Sequence, residues 1–286
     1  MSSRAGILAR SYARTLTRID FDEHSNVTDD SRNRGPGFSP IHFFSNGEAL
    51  YGAAYIAPGE GPSGCLVTVP EVGGYDRLSS LVNPVQMAGI TVVYFHPRGL
   101  WDPATPYSFE GALNDTKQAV AYLRRPKVAA ALRIDPARIA LGGLSGGGTL
   151  SLIAIAEDPS LHHAFAVAPW NFDAPVSDDV AAGFARLNEW ACGRYNLGLA
   201  NADAAKRFSL IARACEFADK NLLIIGAEYD SVSPIDVAHR PIVAALAAAG
   251  ARHLRDVIFE SDHFLLDTRP ELHALVIAWL RDACGF

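Results

Sequence analysis

Ser145 sits in Gly143-Leu144-Ser145-Gly146-Gly147, a G-x-S-x-G flanked by a short apolar run at 138–141 and a longer one at 149–156. Strand, tight turn and helix is the setting in which such a serine becomes a nucleophile. The turn is sharp enough that side chains at positions 143 and 147 would collide with the neighbouring strand and helix. The hydroxyl then projects at a helix amino terminus, where free N–H groups and the dipole favour negative charge. The alternative is a Gly-rich turn or phosphate loop with an incidental serine. A hydroxyl is a poor nucleophile until a neighbour takes its proton. Of nine histidines, His263 lies just past a late apolar run, and His96 is its rival. His253 precedes that run and His273 falls in the last helical stretch. The orienting acid is expected at Asp230, in Gly226-Ala-Glu-Tyr-Asp230, with Glu228 and Asp236 as alternatives. Asp262 is too close in sequence to His263 to orient it. Taken singly, Asp230 reads equally as a helix cap before Pro234, and His263 as a surface loop residue.

The elements that must carry these groups are legible from periodicity. Two strands, 38–44 and 49–57, flank Asn46-Gly47, a hairpin signal. Continuous β-rich runs at 65–69 and 90–95 suit strands covered on both faces. A helix is expected over 78–88, interrupted at Asn83-Pro84 and ended by Gly89, and another over 110–132, broken near Pro126. Strands follow at 138–143, 163–168, 221–226 and 254–259, with helices at 235–249 and 270–283. The alternation predicts an α/β architecture: a mostly parallel sheet with helices on both faces and chemistry outside the strands' carboxyl ends. Residues 171–220 break the alternation with short helical patterns and many aromatics, and read as a small helical cap insertion.

Composition excludes several classes. Apolar residues make up 49% and charged residues 20%, and the formal net charge is −6, so a general nucleic-acid binder is not expected. Cys65, Cys192, Cys215 and Cys284 are too scattered for a disulfide framework or a zinc site. No apolar run approaches a membrane span. Residues 1–37 form an arm whose first part carries Arg4, Arg10, Arg14 and Arg18 without an acid. That pattern suits an organelle transit peptide or, as expected here, a helix packing on the domain or on a second copy. A cytoplasmic protein, alone or as a homodimer, is the expectation.

On these motifs residues 38–284 resemble the α/β-hydrolase superfamily, which implies the α/β-hydrolase fold and a Ser145, Asp230, His263 triad in that chain order. The stretch Ile134-Asp-Pro-Ala-Arg-Ile-Ala-Leu-Gly-Gly-Leu-Ser-Gly-Gly resembles prolyl-oligopeptidase-like and acyl-peptidase-like members. The loop Val69-Pro-Glu-Val-Gly-Gly-Tyr75 departs from their usual His-Gly, and its Glu71 is similar to the dienelactone-hydrolase branch. The departure matters because this loop builds half of an oxyanion hole, where losing one donor costs roughly 3–4 kcal/mol of barrier. The resemblance implies Gly146 N–H as the first donor and Val72 or Gly73 N–H as the second. The Tyr75 hydroxyl is a third candidate, and Trp170 and Trp190 are candidate pocket walls. It implies a serine hydrolase cleaving a carboxylic ester of a small, mostly apolar substrate, with no cofactor or metal. An aminopeptidase or amidase, a lactone or carbon–carbon bond hydrolase, and a non-catalytic receptor are the alternatives.

Overall fold

Asn46 and Gly47 both take positive φ, 49° and 84°, and reverse the chain between two paired strands. Two left-handed residues give a hairpin turn whose twist matches the strands it joins. A computed structural model of the chain describes residues 35–72, 78–100, 106–190, 195–196 and 206–286. Its first half holds β1 (Gly37–Ser45), β2 (Glu48–Ile56), β3 (Ser63–Val69), α1 (Ser79–Met87), β4 (Thr91–Phe95), β5 (Tyr107–Ser108), α2 (Phe109–Leu123), α3 (Pro126–Ala131) and β6 (Ile134–Leu144). Then come α4 (Gly146–Glu157), β7 (His163–Val167), α5 (Asp178–Trp190), β8 (Tyr195–Asn196), β9 (Asn221–Ala227), α6 (His239–Ala248), β10 (His253–Phe259) and α7 (Arg269–Asp282).

Eight strands form one sheet in the order β1-β2-β4-β3-β6-β7-β9-β10. Only β2 runs against the others. The fold is that of an α/β-hydrolase: the crossing of strand order at β3 and β4 and the helices between parallel strands are as the alternation predicts. Successive strand residues serve opposite faces, so the sheet has two cores. Val67, Val69, Leu141, Ala166 and Ile224 pack on one face with α2, α3, α4 and α6. Leu66, Ala140, Phe165, Val167 and Ile225 pack on the other with α1 and α7.

Two expectations are corrected. Helix α1 is not interrupted at Asn83-Pro84 but runs through Pro84. The backbone carbonyl that Pro84 leaves without a donor belongs to Ser80, an exposed residue of the first turn, so water can satisfy it. Helix α6 starts at His239 rather than 235, because 235–238 form a turn after Pro234. The break near Pro126 is real, with Pro126 opening α3 at its first position, where its missing N–H costs nothing. Of the expected arm, residues 1–34 lie outside the described residues.

Three clamps hold the layers in register. The Arg98 guanidinium, in the loop after β4, donates to the fully buried Asp115 carboxylate of α2 at 2.6 Å and to Ser45 Oγ of β1 at 2.7 Å. Glu157, ending α4, accepts from Lys117 of α2, from Arg207, and from Arg213 at 2.9 Å. At the strands' amino-terminal ends, the Phe286 ring lies edge-on to His163 at 5.8 Å, beneath the Arg138 guanidinium at 5.5 Å. A side chain on Gly64 would collide with that ring.

Candidate active site

Strand β6 delivers Ser145 at φ 54° and ψ −125°, a conformation L-residues rarely hold. The glycines around it are there for space. A Cβ on Gly143 would lie 2.4 Å from the carbonyl carbon of Gly147, and one on Gly147 would lie 2.3 Å from the Val69 oxygen. Helix α4 starts at Gly146, so its first N–H groups and its positive end face the serine. The Ser145 backbone is tied down as well. Its N–H donates to Val167 O at 2.8 Å, and its carbonyl accepts from Thr149 N at 3.1 Å and Trp170 N at 3.4 Å.

The same ladder continues across the sheet beyond the strand ends. Ala168 N–H donates to Ile225 O at 2.7 Å, Glu228 N–H to Phe259 O at 2.8 Å, and Tyr229 N–H to Ser261 O at 3.0 Å. It links, in order, the loops that carry Ser145, Asp230 and His263. Asp230 and His263 then meet: Asp230 Oδ2 is 2.7 Å from His263 Nδ1, with both side chains almost fully buried. The other oxygen, Asp230 Oδ1, accepts from Val232 N at 2.8 Å and Ser233 N at 2.7 Å. These backbone bonds fix the carboxylate's plane. A carboxylate can only accept, so Nδ1 carries a proton, and in the neutral ring it is Nε2 that keeps its lone pair. Among the described residues, no hydrogen bond joins Ser145 to His263.

The histidine loop is braced from several sides. Asp262 Oδ1 accepts from Phe264 N at 3.0 Å and Leu265 N at 3.1 Å, so this carboxylate shapes the loop instead of facing the ring. Arg269 donates to Phe264 O at 2.6 Å and to Ser80 Oγ of α1 at 3.3 Å. The alternatives for the acid are engaged elsewhere: Asp236 pairs with Arg240, and Glu228 lies 3.6 Å from the same guanidinium. His96, the alternative base, packs edge-on to Tyr94 at 5.8 Å.

Val72 is buried against the turn, with its Cγ2 3.0 Å from where a Cβ on Gly146 would stand. Trp170 follows β7, and its carbonyl accepts from Thr149 Oγ1 of α4 at 2.8 Å. Its ring meets Phe184 of α5 edge-on at 5.5 Å. Gly73, Tyr75 and the Trp190 side chain lie outside the described residues. Sequence reasoning missed two features. One is Phe109, whose ring reaches within 2.9 Å of a Cβ placed on Gly146. Thirty-odd residues separate the two in sequence, and only the packing of α2 on α4 joins them. The other is a second histidine–aspartate pair, the buried His239 Nε2 with the exposed Asp256 at 2.6 Å. It lies at mid-strand on β10, away from the carboxyl ends, and braces α6 against the sheet edge.

Comparison with known proteins bears on the family and the fold. Residues 77–286 match the prolyl oligopeptidase family. No curated protein matches the chain by sequence. Among solved structures, a hyperthermophilic esterase from the archaeon Pyrobaculum calidifontis is 18% identical, with a TM-score of 0.67, over 98% of both chains. The α/β-hydrolase GrgF from Penicillium sp. sh18 is 16% identical, with a TM-score of 0.66, over 87% of this chain and 100% of its own. A protein described as a dipeptidyl aminopeptidase IV from Bacteroides ovatus is 14% identical, with a TM-score of 0.66, over 87% of this chain and 36% of its own. At such identities these likenesses bear on the fold.

Proposed function

Because the chain belongs to the prolyl oligopeptidase family of α/β-hydrolases, we propose that it cleaves a carboxylic ester of a small, mostly apolar substrate through an acyl-enzyme on Ser145. The observation that supports this most is the buried Asp230–His263 pair at 2.7 Å, one hydrogen-bonded loop ladder away from a serine on a strained turn. His263 Nε2 takes the hydroxyl proton as Ser145 Oγ bonds to the ester carbonyl carbon. The carbonyl oxygen becomes an oxyanion facing Gly146 N–H, with Val72 or Gly73 N–H as second donor. The tetrahedral centre collapses, the ester C–O bond breaks, and His263 returns the proton to the leaving alkoxide. Water then attacks the acyl carbon by the same route, releasing the acid and restoring the serine. Asp230 holds the imidazole in the required tautomer throughout. Trp170, directly before the stretch read as a cap, is the proposed pocket wall on that side.

A fluorophosphonate probe tests the reading. It is expected to label the wild type at Ser145 and to leave Ser145→Ala unlabelled. Folded protein that resists labelling would favour a receptor without catalysis. The family match favours one second reading, hydrolysis of an amide or the amino-terminal peptide bond. Parallel assays on p-nitrophenyl acetate and aminoacyl-anilides decide between the two.

A further inference from the structure

We infer that the site is two-sided, with a closed acyl side and an open, apolar leaving-group side, so that it selects esters of a short acid with a bulky apolar alcohol. This rests on the hydrolase reading above and adds to it the shape of the substrate.

The assignment of sides follows from the tetrahedral carbon. One substituent is Ser145 Oγ, and the oxyanion must face Gly146 N–H. The leaving oxygen must face the imidazole, because it receives the imidazole's proton. The acyl chain takes the direction that remains, away from His263. The topology gives these directions different walls. His263 and Asp230 come from β10 and β9, on one flank of β6, while β3 and β4 lie on its other flank. Val72 follows β3, and Phe109 opens the helix that comes after β4.

On that second flank the space beside Gly146 is already filled. A Cβ on Gly146 would stand 2.9 Å from Phe109 Cε1 and 3.0 Å from Val72 Cγ2. Phe109 packs on Phe172 at 4.9 Å between ring centroids, Phe172 on Phe208 at 5.2 Å, and Phe109 on Phe208 at 5.8 Å. The three are 4%, 9% and 3% exposed. Rings so nearly hidden are packed on one another and line little open cavity, so an acyl chain meets a wall within a few carbons. The imidazole side is different. Phe264 lies edge-on to the His263 ring at 5.2 Å and is still 38% exposed, and Leu266, two residues on, is 67% exposed. Exposed apolar surface touching the proton donor suits a leaving group that brings its own apolar area.

The test uses two ester series on the full-length protein. With p-nitrophenol as constant leaving group, kcat/KM is expected to fall at least tenfold from acetate to octanoate. Phe109→Ala should narrow that gap at least fivefold, with Phe109→Leu as a milder variant should the first fail to fold. With acetate as constant acid, ethyl and cyclohexylmethyl esters compare alcohols of similar acidity. The cyclohexylmethyl ester should show the lower KM, and Phe264→Ala should raise that KM at least fivefold more than the KM for ethyl acetate. Octanoate cleaved as fast as acetate, a gap unmoved by both Phe109 variants, or equal KM shifts in Phe264→Ala would each overturn the inference. Ser145→Ala separates the two levels. Turnover surviving in that variant defeats the hydrolase reading, whereas an inactive Ser145→Ala beside a flat acyl profile defeats only the two-sided site.

Discussion

Asp230 shows how much one carboxylate is asked to do. One oxygen is held by two backbone N–H groups of its own turn and the other faces Nδ1 of His263. Asparagine at this position keeps the shape but can present an amide N–H to Nδ1, which then must accept, so the proton moves to Nε2 and the base is lost. We expect Asp230→Asn to fold with an unchanged melting temperature within a few degrees and to lose about 10⁴-fold in kcat on p-nitrophenyl acetate. A loss below tenfold would remove Asp230 from the mechanism. Both partners were legible in the sequence because each stands a few residues past an apolar strand, in the chain order that the turn at Ser145 requires. Phe109 was not legible, because its place beside Gly146 is a product of helix packing and leaves no mark in spacing. Nor was the His239–Asp256 pair, which chemistry alone cannot tell from the first. What separates them is position along a strand, something periodicity gives only within a few residues.

Among the elements, α4 is fixed at both ends by different means. Its start is the strained turn, and its end is Glu157, shared by Lys117, Arg207 and Arg213. Burial by itself would push the Glu157 carboxyl up, but hydrogen bonds from Arg207, Lys117 and Arg213 outweigh it and hold the pKa at about 2, below the ordinary 4.5. The folded value is depressed, so the clamp's contribution is fully present above pH 4.5 and is lost as pH falls towards 2. The melting-temperature difference between wild type and Glu157→Gln should therefore be largest above pH 4.5 and close steadily to nothing near pH 2. A constant difference across that range would mean that the carboxylate's charge plays no part. The central strands were readable as short continuous apolar runs, because the sheet is covered on both faces by the two cores. Helix α1 was misread at Pro84 because a sequence rule for proline does not know which carbonyl will be left facing water.

At the scale of the whole molecule, the Phe286 clamp and the candidate site sit at opposite ends of one sheet. The candidate triad lies past the carboxyl ends, while Phe286 packs against Gly64, Arg138 and His163 at the amino ends. The His163 imidazole is itself pushed down to about 4, chiefly by burial and then by the neighbouring His162, so it stays neutral where the ring covers it. Phe286→Ala is expected to lower stability by about 1–2 kcal/mol, less than the ~3–5 of a fully buried phenylalanine, because the residue is only partly buried. Its kcat/KM at 25 °C should match wild type. An equal loss of activity would mean that the two ends communicate through the sheet. Among the described residues the sheet also has two margins, and the strand leading to His263 is one of them: β10 is paired only with β9. The proton carrier of the proposed reaction thus hangs from the border of the structure, while the serine grows from its middle. Warming or mild denaturant that merely frays that border would silence the molecule with its interior still intact, so the first thing lost would be function and the last would be form.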